Sequence, residues 1–166
     1  PMSKGIAIEG MKLVKENILK VYERPDDIEA RGHMMSAAAM GATAFQKGLG
    51  AMHALAHPIG AIHHTHHGTT NAVVMRKVVE FNRTAIEAKI ESLTHYLGIP
   101  GGFDGFCEFI SETNQALSIP NTLTDLGVQN PDIERLVRDA LADPSCGGNP
   151  IKMTEPHTRK LIEDCS

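Results

Sequence analysis

From Ser3 to Tyr22 the apolar residues Ala7, Ile8, Met11, Val14, Ile18, Val21 and Tyr22 recur every three or four positions, the period of an amphipathic helix. Pro1 suits the start of such a helix. Arg24-Pro25-Asp26-Asp27 reads as a stop followed by an acidic first turn, and Ile28 to Gln46, rich in Ala and Met, predicts a second, largely buried helix before Gly48 and Gly50 interrupt it. Further helical stretches run from Ala51 to Ile62, with Pro58 and Gly60 as expected kink or stop, then from Gly68 to Val79 and from Arg83 to Leu97. After the Ile99-Pro100-Gly101-Gly102 turn, Phe103 to Leu117 continues the pattern. Thr124 to Gly127 reads as a short capped turn, Pro131 to Leu141 as a helix with its charges on one face, Asp143 to Pro150 as a loop, and Thr154 to Cys165 as the last helix. No stretch alternates apolar and polar residues as a half-buried strand would. The expected class is all-α, and with no repeat or low-complexity linker residues 1–166 are read as a single domain.

Composition narrows the functional classes. The chain has 166 residues, 42% apolar and 22% charged, with a formal charge of −4 and no basic run, so it lacks the footprint that neutralises a phosphate backbone, and nucleic acid is excluded as a partner. With two Tyr, five Phe and no Trp, it also lacks stacking platforms for single strands or glycans. No apolar run approaches the ~20 residues that span a bilayer, and no signal peptide is apparent, so no membrane role and a cytoplasmic location are expected. Cys107, Cys146 and Cys165 form no CxxC pair, a pattern suited to a reducing compartment.

Histidine changes the picture. Six of the nine lie between His53 and His67. His53 and His57 are four apart, which on a helix projects both imidazoles from one face. His67 is fourteen residues beyond His53, and an unbroken helix would carry it roughly 21 Å away, far outside the reach of a shared metal bound at about 2 Å. A common site requires the chain to reverse between Gly60 and His66. The run of histidines supplies a loop, and Gly68-Thr69-Thr70-Asn71 resembles the capping chemistry of a new helix, which would place His67 at a helix N-terminus. There the macrodipole opposes protonation and favours a coordinating imidazole. On spacing alone, a metal site, a surface pair and a satisfied core pair all remain open.

The segment Gly48-Leu49-Gly50, His53, His57-Pro58 and, nine residues on, His67-Gly68 resembles the C-terminal signature of the iron-containing (group III) alcohol dehydrogenases. Thr43 to Lys47 before it, Asn71-Ala72-Val73 and Val79 to Arg83 after it, Ile119-Pro120 with Leu123, Leu126-Gly127, and Asp143 to Pro150 followed by Thr154 fall in the family's order, so the resemblance covers essentially the whole chain. It implies a dehydroquinate synthase-like C-terminal helical domain. It further implies that His53 and His67 are ligands of a catalytic Fe2+, with Zn2+ as a substitute, and that His57 lies beside alcohol and nicotinamide as a proton relay in NAD(P)-dependent interconversion of alcohols with aldehydes or ketones.

Departures set the limits of that expectation. The family's other two ligands, an aspartate and a histidine four apart on a helix, precede the region that Pro1 to Val14 resembles, and so does the nucleotide-binding α/β domain. Gly101-Gly102-Phe103-Asp104-Gly105 lacks the spacing of a phosphate loop and follows no strand. A chain that starts at proline is expected to be part of something longer, inactive by itself and weak in metal binding. His63 and His64 replace common Tyr and Asn and read as solvated loop residues. Ser145 stands where many relatives have cysteine, and Cys146 receives no catalytic role. The expected partners are a small alcohol or aldehyde substrate, the missing N-terminal domain and, through the apolar wall around Ala51 to Ile62, further copies in a homo-oligomer. The alternatives are a helical interaction module without catalysis and a part of a zinc-dependent polyol dehydrogenase.

Overall fold

A computed structural model describes all residues from Pro1 to Ser166, and it contains eight α-helices, two 3-10 turns and no strand. The all-α expectation holds. Where the sequence reading drew no boundary, the residues group into two compact units, Pro1–Gly48 and Leu49–Ser166.

The first unit is a helical hairpin of α1 (Met2–Glu23) and α2 (Ile28–Ala44), followed by a 3-10 turn at Phe45–Lys47. Asp27 starts α2 by accepting a hydrogen bond from the Ala30 amide at 3.0 Å, so the acidic turn read from Asp26-Asp27 is an N-cap. The two helices approach closely where Gly10 faces Met40: a Cβ on Gly10 would lie 3.2 Å from that of Met40. The second helix, expected to be largely buried, exposes much of its length, including Ile28 and Met35 at 78% and 75%. Its apolar residues surround the helix axis instead of forming a stripe, so one neighbouring helix cannot cover them.

The second unit contains α3 (Ala51–His63), α4 (His67–Phe81), α5 (Arg83–Leu97), α6 (Gly102–Ala116), α7 (Ile133–Ala142), a 3-10 turn at Pro144–Gly148, and α8 (Glu155–Asp164). Its core joins Leu55 and Ile59 of α3, Val74 of α4, Leu136 of α7 and Ile162 of α8, each at most 1% exposed. Burial explains why α3 runs through Pro58 and Gly60, the positions at which a kink or stop was expected. Ala54, Leu55, Ala56 and Ile59 are all at most 1% exposed, and packing of that face outweighs the one backbone hydrogen bond that proline forfeits. No helix is long and apolar enough to cross a membrane.

Two asparagines tie the ends of these helices together. Asn82, 4% exposed at the break between α4 and α5, donates to the Val78 carbonyl and to Asn149 Oδ1, both at 3.0 Å. Its own Oδ1 accepts from Asn149 Nδ2 at 2.9 Å and from the Ile151 amide at 3.2 Å. Asn149 Oδ1 also accepts from the Ala51 amide at 3.1 Å, capping the first turn of α3. The loop lies flush here: a Cβ on Gly148 would stand 1.9 Å from the Leu49 carbonyl oxygen. Asn149→Ala is therefore expected to destabilise the chain by about 2–4 kcal/mol in urea denaturation, because it leaves several half-buried partners unbonded. Gly148→Ala is expected to lower the thermal midpoint in calorimetry, since the backbone of one segment must move away from the other.

Candidate metal centre

The histidines are brought together by the reversal that the sequence required. α3 ends at His63, His64 takes the left-handed conformation with φ 56°, and α4 begins at His67. The cap of α4 differs from the expected Gly68 to Asn71 group: His66 is the N-cap, and its Nδ1 accepts from the Thr69 amide at 3.4 Å. Behind it, Thr70, fully buried, donates to the His66 carbonyl at 3.0 Å and shares a 2.7 Å hydrogen bond with Thr65. His67 thus occupies the first helical position, where the sequence placed it.

Ring centres of His53 and His67 are 5.3 Å apart, those of His57 and His67 5.5 Å, and those of His53 and His57 5.7 Å. His53 is half-buried, whereas His57 and His67 are exposed, so the trio opens outward. The His53 imidazole is held below its ordinary 6.5 by burial, then by the neighbouring His67 and His57, against the opposing pull of Asp143. This keeps it neutral, with a lone pair to offer.

Each ring has a different polar neighbour. His57 Nδ1 bonds Asp143 Oδ2 at 2.8 Å across 86 residues of chain. Asp143 in turn caps the Pro144–Gly148 turn, its Oδ1 accepting from the Ser145 amide at 2.8 Å. Burial pushes the Asp143 carboxyl up, but the hydrogen bonds from His57 and Ser145 outweigh it and hold the group below its usual range. His67 Nε2 accepts from Asn71 Nδ2 at 3.0 Å, one turn along α4, while Asn71 Oδ1 is buried without a partner. Asp143 and Asn71 were visible in the sequence only as members of motifs. Nothing local shows that residue 143 meets residue 57.

The other histidines stand apart from this trio. His63, expected in a solvated loop, is instead the last residue of α3, which runs one residue further than foreseen, and its Nε2 is buried without a hydrogen bond. Cys146 lies near Asp143, and burial followed by that carboxylate pushes its thiol up, which disfavours a reactive thiolate. All three cysteines are free, and burial drives Cys165 up to about 12.

The spacing suits a cation held by two of the rings. Two imidazoles bound at about 2 Å with a tetrahedral angle have centres about 5 Å apart. By themselves the side chains of this chain do not complete a site: no group of three or more His, Cys, Asp or Glu is placed to hold a metal ion together.

Residues 1–165 match the C-terminal profile of the Fe-containing alcohol dehydrogenase family. The chain belongs to that family. It is 33% identical over 172 residues to 4-hydroxybutyrate dehydrogenase of Cupriavidus necator, covering 98% of this chain and 45% of that protein. Identity to the NADPH-dependent butanol dehydrogenase of Clostridium saccharobutylicum is 27%, covering 98% of this chain and 44% of that protein. The crystal structure of a 1,3-propanediol oxidoreductase superposes with a TM-score of 0.94 at 26% identity, over 100% of this chain and 46% of that one. The chain thus spans less than half the length of these relatives and corresponds to the C-terminal helical domain of the family.

Protonation of the site has a signed effect on stability. The Asp143 carboxyl is depressed in the folded chain, so its contribution is present above its unfolded value of about 4 and is lost as pH falls through the folded one. Urea denaturation between about pH 5 and pH 2 is expected to show a steeper acid loss for the wild type than for Asp143→Asn. His53, also depressed, loses stability over a separate window that opens below 6.5, and its NMR titration midpoint is expected under that value.

Proposed function

We propose that His53 and His67 supply two ligands of a catalytic divalent metal, iron with zinc as a substitute, and that His57 is the proton relay of a nicotinamide-dependent alcohol dehydrogenase. The protein would interconvert small alcohols with aldehydes or ketones. The observation that carries this reading is the convergence of three imidazoles from α3 and α4 within 5.3–5.7 Å. Bound there, a divalent cation supplies Lewis-acid polarisation of the alcohol oxygen, and NAD(P) accepts the hydride.

The chain's own residues then divide the remaining work. His53, kept neutral, and His67, at the positive end of α4, present their rings from facing helices, and a cation at His67 Nε2 would displace the hydrogen bond from Asn71. The three rings are almost equidistant, so spacing alone does not separate ligands from relay. His57 is set apart by the carboxylate behind its Nδ1, which would leave Nε2 to take the hydroxyl proton of an alcohol bound beside it. The two other ligands and the nucleotide-binding domain would come from a preceding region, such as fills the rest of the relatives' length. Alone, the chain would bind metal weakly and be inactive.

A second reading, a helical oligomerisation module, cannot use the expected Ala51 to Ile62 wall, where Ala51, Ala54, Leu55, Ala56 and Ile59 are at most 1% exposed, but is favoured by another observation: Met2, Ile28 and Met35 of the Pro1–Gly48 unit are 75–83% exposed. These residues call for cover by further protein, a second copy in that reading.

Expression of the chain with and without such a preceding region decides between them. In the longer protein, alcohol-dependent reduction of NAD or NADP is expected, with metal content by X-ray absorption lost in His53→Ala and in His67→Ala. His57→Ala is expected to retain metal and lose activity by about 10²–10⁴-fold. Full metal occupancy in the His53→Ala/His67→Ala double variant would overturn the ligand assignment. Persistent inactivity, with tight self-association by light scattering, would favour the module.

A further inference from the structure

We propose that Asp143 is the positioning residue for His57: bonded to Nδ1 at 2.8 Å, it fixes the ring proton on that nitrogen and leaves Nε2 as the proton acceptor. The inference rests on the reading of His57 as the relay. A neutral imidazole carries one proton, on either nitrogen, and an ionised carboxylate can only accept a hydrogen bond. The nitrogen facing Asp143 must therefore bear the proton.

The carboxylate is itself held in place from behind. Its Oδ1 accepts from the Ser145 amide at 2.8 Å, and Ser145 is buried. At the other end of the same short loop, Asn149 Oδ1 accepts from the Ala51 amide, so the loop grips α3 at its first residue and again at His57. These two grips lie six residues apart on the helix, about 9 Å. The bonds that keep the carboxyl ionised are the same bonds that hold it still.

The proton count closes. The hydroxyl proton of the alcohol goes to His57 Nε2, the proton on Nδ1 stays where it is, and the imidazolium sits against a carboxylate that remains unprotonated. The hydride pair departs separately to the oxidised nicotinamide.

Long-range 1H–15N correlation spectra of the labelled chain, recorded above the imidazole titration range, report which nitrogen of His57 carries the proton. The Nδ1–H form is expected in the wild type, and a proton on Nε2 would overturn the assignment without recourse to any variant. In Asp143→Ala the Nε2–H form is expected to gain population; an unchanged ring would equally overturn it. In the longer, active protein, Asp143→Asn is expected to lower kcat by about 10–100-fold with KM within about threefold, and Asp143→Glu to recover part of the loss. A ring proton that moves while kcat does not would instead overturn the relay role of His57, so the two failures are told apart.

Discussion

The arrangement of this chain depends on a pair of asparagine side chains that share hydrogen bonds across 67 residues. An asparagine amide offers both donors and an acceptor, and here nearly all of that capacity is used in a half-buried setting. Asn82 cannot move without releasing the Ile151 amide, and Asn149 cannot move without releasing the first amide of α3. Because partial satisfaction of such a network costs more than its absence, the junction favours one arrangement of the α3 start, the α4 end and the closing loop. The junction fixes the start of α3, which carries His53 and His57, and the end of α4, while the reversal at His64 brings His67 back to them.

The periodicity of apolar residues made the helices legible because burial and period agree along most of the chain. Arg83–Leu97 begins and ends where its apolar spacing says it should. Pro58 misled because local propensity says nothing about a helix face that is almost wholly buried. The α4 cap misled for another reason. Histidine is an uncommon cap, and only in the folded chain does His66 Nδ1 face the Thr69 amide.

The candidate site was legible in part. A helix periodicity of 3.6 puts His53 beside His57, and the requirement for a reversal before His67 follows from length alone. The family resemblance added the roles, and the family assignment bears out that resemblance. What the sequence hid were the supports: Asp143 reaches His57 across 86 residues, and Asn71 meets His67 through an amide whose other atom is left unbonded. Side-chain contacts between distant segments leave no periodic trace, so only the packed chain displays them.

The doubly anchored closing loop works as a ruler. Its two ends, Asp143 and Asn149, are six residues apart, and so are the two points on α3 that they grip, Ala51 and His57. A residue inserted between 144 and 148 would lengthen one side of this frame and not the other, and one of the two anchors would have to let go. Gly148 closes off the remaining freedom, because its backbone lies against the Leu49 carbonyl with no room for a side chain. Variation around such a frame is left to the side chains that project from it, since the frame's own length is not free to vary.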